Sequence, residues 1–482
     1  MAFTNTPKVS TYTTKRVNFV NNPQQRGGNT AYDARMVNML IEEIPGLTNS
    51  NPKYYTRSRA GLSTVYNTTT GTGRGIYTWN VSGVSYAMSV VGSSVYSNGT
   101  FLQTLTTSTG QCGFTEFVNA SGVVSLVMLD GVKGYVFASP TAAGTLITDV
   151  DFPTPHLPNP IFLDGYLFVA KKNTEDIYNS DLNDPSLWTA GSYISAELYP
   201  DTIQALSKNN NFLYAIGTNS IEYFYDAGIA TGSPLAREAA AVQQFGTSAP
   251  GTIVQTEKEV VLVGETGNGG HTVWTIDGFK EKEISVPAIR SALVAEGSAV
   301  YNATAFCIRV SSQKLYVICL TTRTLVYSFD TKMWSEWDSA AGAFLCGYAH
   351  DGPNGVPYLQ AKTGGKIYAM SENYYSDAGT NFTCSIVTPR LDFETVNRKT
   401  ASRLVLVGDV PDDTLVDSTV NIAWSDDDYK TWSADRAVIF NSDLPQLKQL
   451  GMFRRRAFRI TYALPHLLRL EGVEIDINKG GA

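Results

Sequence analysis

Charge is the first thing this chain has little of. Asp, Glu, Lys and Arg make up 17% of its 482 residues, against roughly 25% in an average soluble protein. With 44 acidic and 37 basic side chains the formal net charge is −7. That argues against the broad basic faces with which nucleic-acid binders grip phosphates, although a local basic patch stays open. Histidine is scarcer: His156, His271, His350 and His466 lie far apart and form no H-x-x-H or H-E-x-x-H motif, so no zinc or general-base set emerges. The five cysteines (Cys112, Cys307, Cys319, Cys346 and Cys384) are odd in number, dispersed, and without a C-x-x-C pair. This excludes a zinc ribbon or disulfide scaffold and suits assembly in a reducing cytoplasm. No stretch approaches the roughly 20 apolar residues of a membrane-spanning helix. The opening MAFTNTPKVSTYTTKR lacks the apolar core of a secretory signal, so a soluble chain is expected. G-x-S-x-G and P-loop lysine motifs are missing too. The glycine-rich GETGNGG, Gly264 to Gly270, joins two strand-like runs instead of opening a helix, which disfavours a phosphate cradle.

Tyr, Thr, Ser, Asn, Gly and Val fill the space, as in an all-β protein with many turns. At 43% hydrophobic and 11% aromatic there is ample surface to bury, and disorder is excluded. One hairpin-like phrase returns along the chain: YAMSVVGSSVYSNG, SLVMLDGVKGYVFAS, YLFVAKKNTEDIYNSD, FLYAIGTNSIEYFYD, VVLVGETGNGGHTVWTID, KLYVICLTTRTLVYSFD and VPYLQAKTGGKIYAMS. Each couples an apolar run, a polar or glycine turn, and a second run carrying an aromatic. Those aromatics are Tyr96, Tyr135, Tyr178, Tyr223, Trp274, Tyr327 and Tyr368. Their spacing of about 40 to 50 residues is the length of a four-stranded propeller blade. The reading is a β-propeller of about seven blades; a pair of packed sandwiches is the competing architecture. Kelch and WD signatures are missing, although Trp334 and Trp337 follow a strand in kelch-like fashion.

The flanks differ. Residues 1–61 are rich in Asn, Gln and Arg and are expected to pack on a platform or on a neighbouring subunit. The propeller is assigned to 62–387. Beyond a boundary near 388 the phrase stops, and runs such as STVNIAWSDD and RRAFRITYA suggest a C-terminal β-sandwich over 388–482.

Two motifs there invite chemistry. Ser425 to Trp432 nearly fits S-x-D-x-G-x-T-W, the Asp box of sialidase-type propellers, with Tyr429 where glycine belongs. An Asp box is a turn device in its own right. A single copy outside the repeats reads as a hairpin in which Trp424 and Trp432 anchor two strands around Asp427. The run Asp426-Asp427-Asp428 also lacks the glycine and distal glutamate of a calcium loop. The second motif is GMFRRRAFRITY, with Arg454, Arg455, Arg456 and Arg459. It reads either as a subunit-interface or channel-facing surface or as the solvated face of a strand. No catalytic, cofactor or metal residue is assigned.

Three stretches resemble a phage family. DARMVNMLIEEIPG (Asp33 to Gly46) followed by SRAGLSTVY (Ser58 to Tyr66) is similar to the opening of tail hub proteins of short-tailed phages. There an R-x-x-N-x-x-x-E segment leads to a PGL-type phrase, and Ala60 here replaces the usual proline. TIQALSKNNNFLYAIGTNSIEYFYDAG (Thr202 to Gly228) and the ending RLVLVGD…VNIAWSDDDYKTWS…GMFRRRAFRI look like the family's middle and closing phrases. The resemblance, to tail hub, nozzle or packaged-DNA stabilization proteins, implies a homo-oligomeric ring, typically a hexamer, in the virion. It implies docking on the portal and tail adaptor and contact with a tail fibre or tailspike and a needle or plug. DNA would leave through the ring without sequence-specific binding, and assembly would occur in the host cytoplasm. The family brings no catalytic residue. The competing functions are a glycan- or receptor-binding propeller and a sialidase-like glycosidase.

Overall fold

The computed structural model describes residues 12–19, 34–44, 53–266, 270–409 and 417–479. The far N-terminal leader reading, Asp33, Pro45 and Gly46 of the opening phrase, and the centre of the glycine-rich GETGNGG loop lie outside those residues. The chain forms two compact units: Leu62–Asp330 with Gly342–Ser371, and Met1–Gly61 with Thr331–Ala341 and Glu372–Ala482.

The first unit is a propeller of seven sheets among the described residues. Blade 1 spans Gly73–Val81 to Thr100–Thr104, blade 2 Gly113–Val118 to Thr145–Leu146, and blade 3 Ile161–Leu163 to Asp184–Ser195. Blade 4 runs from Ile203–Asn209 to Leu235–Gln243, and blade 5 from Phe245–Gly246 to Lys280–Glu283. Blade 6 holds Thr304–Val310, Gln313–Cys319 and Thr324–Ser328 in this unit. Blade 7 is Cys346–His350, Tyr358–Ala361 and Lys366–Ser371, and its outer strand, Gly61–Asn67, comes from before blade 1.

The seven repeat aromatics each sit on the third strand of their sheet. The preceding strands are buried almost throughout, as at Leu126–Leu129 and Leu167–Ala170. A sheet covered on both faces needs a continuous apolar run instead of a two-residue alternation. Asn98-Gly99 and Asp164-Gly165, with positive φ at both positions, make the two-residue turns that match strand twist.

Neighbouring blades share apolar cores. Trp79 and Leu126 join blades 1 and 2, Phe117 and Leu167 join 2 and 3, Phe168 and Leu206 join 3 and 4, and Tyr223 and Leu262 join 4 and 5. Polar side chains bridge the same junctions. Tyr214 Oη donates to Gly278 O and Tyr316 Oη to Thr252 O, each at 2.6 Å. At the closing junction Ile76 and Ala87 meet Tyr358 and Ile367. There the fully buried Gln360 accepts from Gly75 N (3.0 Å) and donates to Val90 O (2.9 Å). Thr68 returns to Gly365 O through its N–H (2.8 Å) and its hydroxyl (2.7 Å). Gly365 has φ of +67°, and a Cβ there would sit 2.0 Å from Thr69 O, so this clasp requires glycine.

The second unit is a β-sandwich. One sheet runs Met39–Ile44, Lys53–Ser58, Arg469–Lys479, Lys399–Asp409, Gln446–Phe453, with Thr13–Asn18 also on Arg469–Lys479. In the other, Trp334–Ser339, Arg35–Val37, Cys384–Val387, Ala457–Tyr462, Thr419–Ser425 and Arg436–Ile439 lie side by side. Ile41, Leu404, Val473 and Ile475 of the first sheet pack on Met36, Ile386, Ile422, Phe458 and Ile460 of the second. Contacts divide the chain at Ser371, earlier than the expected 388, and give Thr331–Ala341 to the sandwich. The physical reason is strand pairing, since Arg35–Val37 lies between Cys384–Val387 and the parallel Trp334–Ser339.

Inside the sandwich Arg59 is completely buried. Its guanidinium meets Asp377 with two bonds of 2.9 and 2.7 Å. It also donates to Asn38 Oδ1 (2.8 Å) and Asp338 O (2.9 Å) and lies 3.8 Å from the Phe382 ring centre. One side chain thus joins three separate stretches of chain.

Two predictions follow from the propeller. Gln360→Leu keeps the volume but orphans a buried N–H and a buried C=O, so unfolding in urea should become easier by about 2–4 kcal/mol. Burial pushes the His156 and His350 pKa values below the ordinary 6.5. The unfolded chain therefore takes up protons that the folded propeller refuses. Stability should be full above pH 6.5, fall as pH drops below it, and level off once the lowered folded pKa values are passed. Melting across that range, with His156→Gln as the comparison, should show the fall and its attenuation.

Candidate functional site

The Asp-box-like hairpin is held by its own polar groups. Ser425 Oγ donates to Asp427 Oδ1 (2.9 Å) and accepts from Tyr429 N (3.0 Å). Thr431 donates to Asp427 twice, from its N–H (2.9 Å) and its hydroxyl (2.6 Å). The Thr431 hydroxyl, then its N–H, hold the Asp427 carboxyl down at about 2. A carboxylate so engaged and so acidic is a turn acceptor and a poor general acid.

Asp428 and Tyr429 both have positive φ, 63° and 67°, which explains why the pattern prefers glycine there. Tyr429 carries that strain because it is the anchor. It is 4% exposed, and its hydroxyl donates to Thr388 O at 3.0 Å. Trp432, an expected anchor, is only half-buried; its ring lies 6.2 Å from that of Tyr429 and carries Arg459 4.9 Å above it. Trp424 is half-buried against the sandwich core, with Arg456 5.2 Å and Arg436 5.8 Å from its ring centre.

The four arginines do not act together. Arg456 is 1% exposed, forks onto Asp426 with two 2.7 Å bonds, and donates to Leu450 O. It is an internal fastener of the sandwich and offers nothing to a partner. Arg459 pairs with Asp435 at 3.1 Å. Arg454 is exposed and donates to Val396 O (2.9 Å), and Arg455 is exposed. Beside them Val396 and Met452 are 60% and 64% exposed.

Elsewhere, no cluster of three or more His, Cys, Asp or Glu that could hold a metal ion occurs among the described residues. Burial pushes the Cys112, Cys307 and Cys384 thiols up to about 12 and Cys319 to about 11, which leaves them protonated and inert.

One concave feature of the propeller is a cavity of about 550 Å³, in the usual range of roughly 300–1,000 Å³ for small-ligand pockets. Its walls come from blades 1 to 5 and 7, including Tyr77, Gln111, Phe114, Asn159, Lys208, Glu257 and His350. No local motif marked it, because each inner strand contributes only one to three residues.

A match with known proteins decides the identity. Residues 28–345 match the phage stabilisation family, described as "Bacteriophage P22 Gp10, beta-propeller". The chain belongs to this family. It is therefore a phage structural protein, a component of the virion, and its propeller is the family's own. Among curated proteins nothing matches. Among solved structures, the β-propeller domain of Cps50 (Swd1) from Myceliophteria thermophila is similar at 8% identity with a TM-score of 0.42. The similarity covers 64% of this chain and 98% of that one.

The hairpin of this phage stabilisation protein gives a direct test. Tyr429→Gly restores the Asp-box pattern and relieves positive φ, yet removes the buried ring, for a net loss of about 2–4 kcal/mol. Trp432→Ala should cost clearly less, and denaturation of the two variants side by side checks the order.

Proposed function

We propose that this protein forms a homo-oligomeric ring, the tail hub or nozzle of a short-tailed phage. In this reading the ring docks on the adaptor below the portal, continues the DNA exit channel and helps retain packaged DNA. Tail fibre or tailspike and a needle or plug would bind it, and assembly would take place in the host cytoplasm. The single observation that carries the reading is the family match across the propeller, residues 28–345.

Physical features support it. A net charge of −7 lets a polyanion slide past, where a basic wall would hold its phosphates. A ring built from heterologous contacts needs an exposed patch meeting a different surface of the next copy. Val396, Met452, Arg454 and Arg455 provide apolar area flanked by charge. Of the four arginines, the two exposed ones are thus the candidates for such contact. The reading carries no turnover: the protein works by position and fit.

Imaging of purified protein, alone and with its adaptor, tests the proposal. The expected outcome is a closed ring, a hexamer by family resemblance, that Met452→Asp with Arg455→Glu disperses while each subunit still melts like the parent. A strict monomer under both conditions would sink it.

A further inference from the structure

The propeller cavity has a composition that selects a ligand. Tyr77 forms one wall between two other rings: Phe114 is stacked on it at 6.0 Å and 26°, and His350 lies 4.3 Å away. The Tyr77 hydroxyl is tied to Glu116 at 3.2 Å, so the ring is set in place before any ligand arrives. All three rings are only half-buried.

His350 Nδ1 lies 3.2 Å from Thr78 N and 3.3 Å from Asp351 O. A neutral imidazole has one donor and one acceptor nitrogen, so the ring can serve a ligand hydroxyl in either sense.

Of the charged groups on the wall, Glu257 is ion-paired and Lys208 meets only a backbone carbonyl. Lys208 Nζ donates to Phe162 O at 2.6 Å, and Glu257 is held by Lys314 at 2.8 Å and by Arg309 at 3.6 Å. Gln111 and Asn159, by contrast, line the cavity with amides that make no hydrogen bond to described residues. An amide supplies both donors and an acceptor. The site thus combines an aromatic platform, unengaged amides and a charged lining that balances, one lysine against one glutamate.

We propose that this cavity binds a neutral, polyhydroxylated ring compound, a saccharide of one or two rings. An apolar face of the sugar would lie on the Tyr77–Phe114–His350 wall, with hydroxyls exchanging hydrogen bonds with Gln111 and Asn159. A phosphorylated or carboxylated ligand would meet one charge of each sign there, Lys208 and Glu257. The inference stands apart from the ring proposal, because all of these residues belong to the propeller.

The test uses the full-length protein and a panel of maltose, cellobiose, lactose and trehalose, with glucose 6-phosphate and N-acetylneuraminic acid as charged counterparts. Saturation-transfer NMR and calorimetry should find at least one neutral disaccharide binding with a Kd of about 0.1–1 mM. Asn159→Ala and Gln111→Ala should each weaken it about tenfold, and Tyr77→Leu should abolish it, with melting curves showing that the variants stay folded. Absence of saturable binding by every neutral sugar would overturn the proposal. So would tighter binding of the charged compounds, or neutral-sugar binding that the Gln111 and Asn159 variants leave unchanged.

Discussion

A stack of propeller sheets holds together only if the last sheet meets the first. Here that meeting depends on a strand from outside the repeat, Gly61–Asn67, which completes blade 7. Without it the third strand of that blade would be an open edge, and the apolar faces of blades 1 and 7 would meet water. The junction joins both kinds of force used around the ring. Ile76, Ala87, Tyr358 and Ile367 bury apolar area, and Gln360 satisfies the backbone groups that the twist of blade 1 frees. Burial provides most of the stabilisation, and the polar bridges set register, because an unmade bond in that dry junction costs more than a made one contributes.

The sandwich obeys a related constraint. Its strands come from both chain ends and from an eleven-residue excursion, Thr331–Ala341, so no continuous piece contains its core. Arg59 enforces the arrangement. A guanidinium with no access to water is tolerable only when every neighbour is in place. Asp377, Asn38 and Asp338 come from three different stretches. Arg456 does the same on a smaller scale with Asp426 and Leu450. The buried arginines thus specify topology more than they add stability.

These two arrangements separate the surface into kinds. Turn acceptors such as Asp427 and fasteners such as Arg456 are committed inside the subunit. Arg454, Arg455, Met452 and Val396 remain exposed, and the propeller cavity keeps amides and aromatic faces in reserve. Met452 lies at the end of a strand, whereas Val396, Arg454 and Arg455 sit in the bends beside it, and Gln111 and Asn159 lie just outside the strands of the propeller.

Much of this was written locally. The alternation of apolar run, turn and aromatic marks the middle hairpin of every blade, since strand pattern and turn chemistry depend on residues a few positions apart. All seven aromatics fall on third strands, and about seven blades became seven. The Asp-box residues likewise declare a turn. The phrase R-x-x-N-x-x-x-E and the following SRAGL were legible as a family likeness, but not as the place where Asn38 meets Arg59. Long-range partners decided the rest. Asp377 is 318 residues from Arg59, and no local pattern reports such a distance. Tyr429 looked like a mismatch until the packing against Thr388 showed it to be the anchor. Adjacent arginines looked equivalent until the sheet turned Arg456 inward and left Arg455 outside. The cavity has no motif because six blades each supply a fragment of it. Sequence by itself determined the repeating hairpin, because strand periodicity and turn preference are properties of neighbours. Only the tertiary structure decided which polar groups are spent on the fold and which are left for partners, because that depends on what closing the ring and the sandwich brings against each side chain.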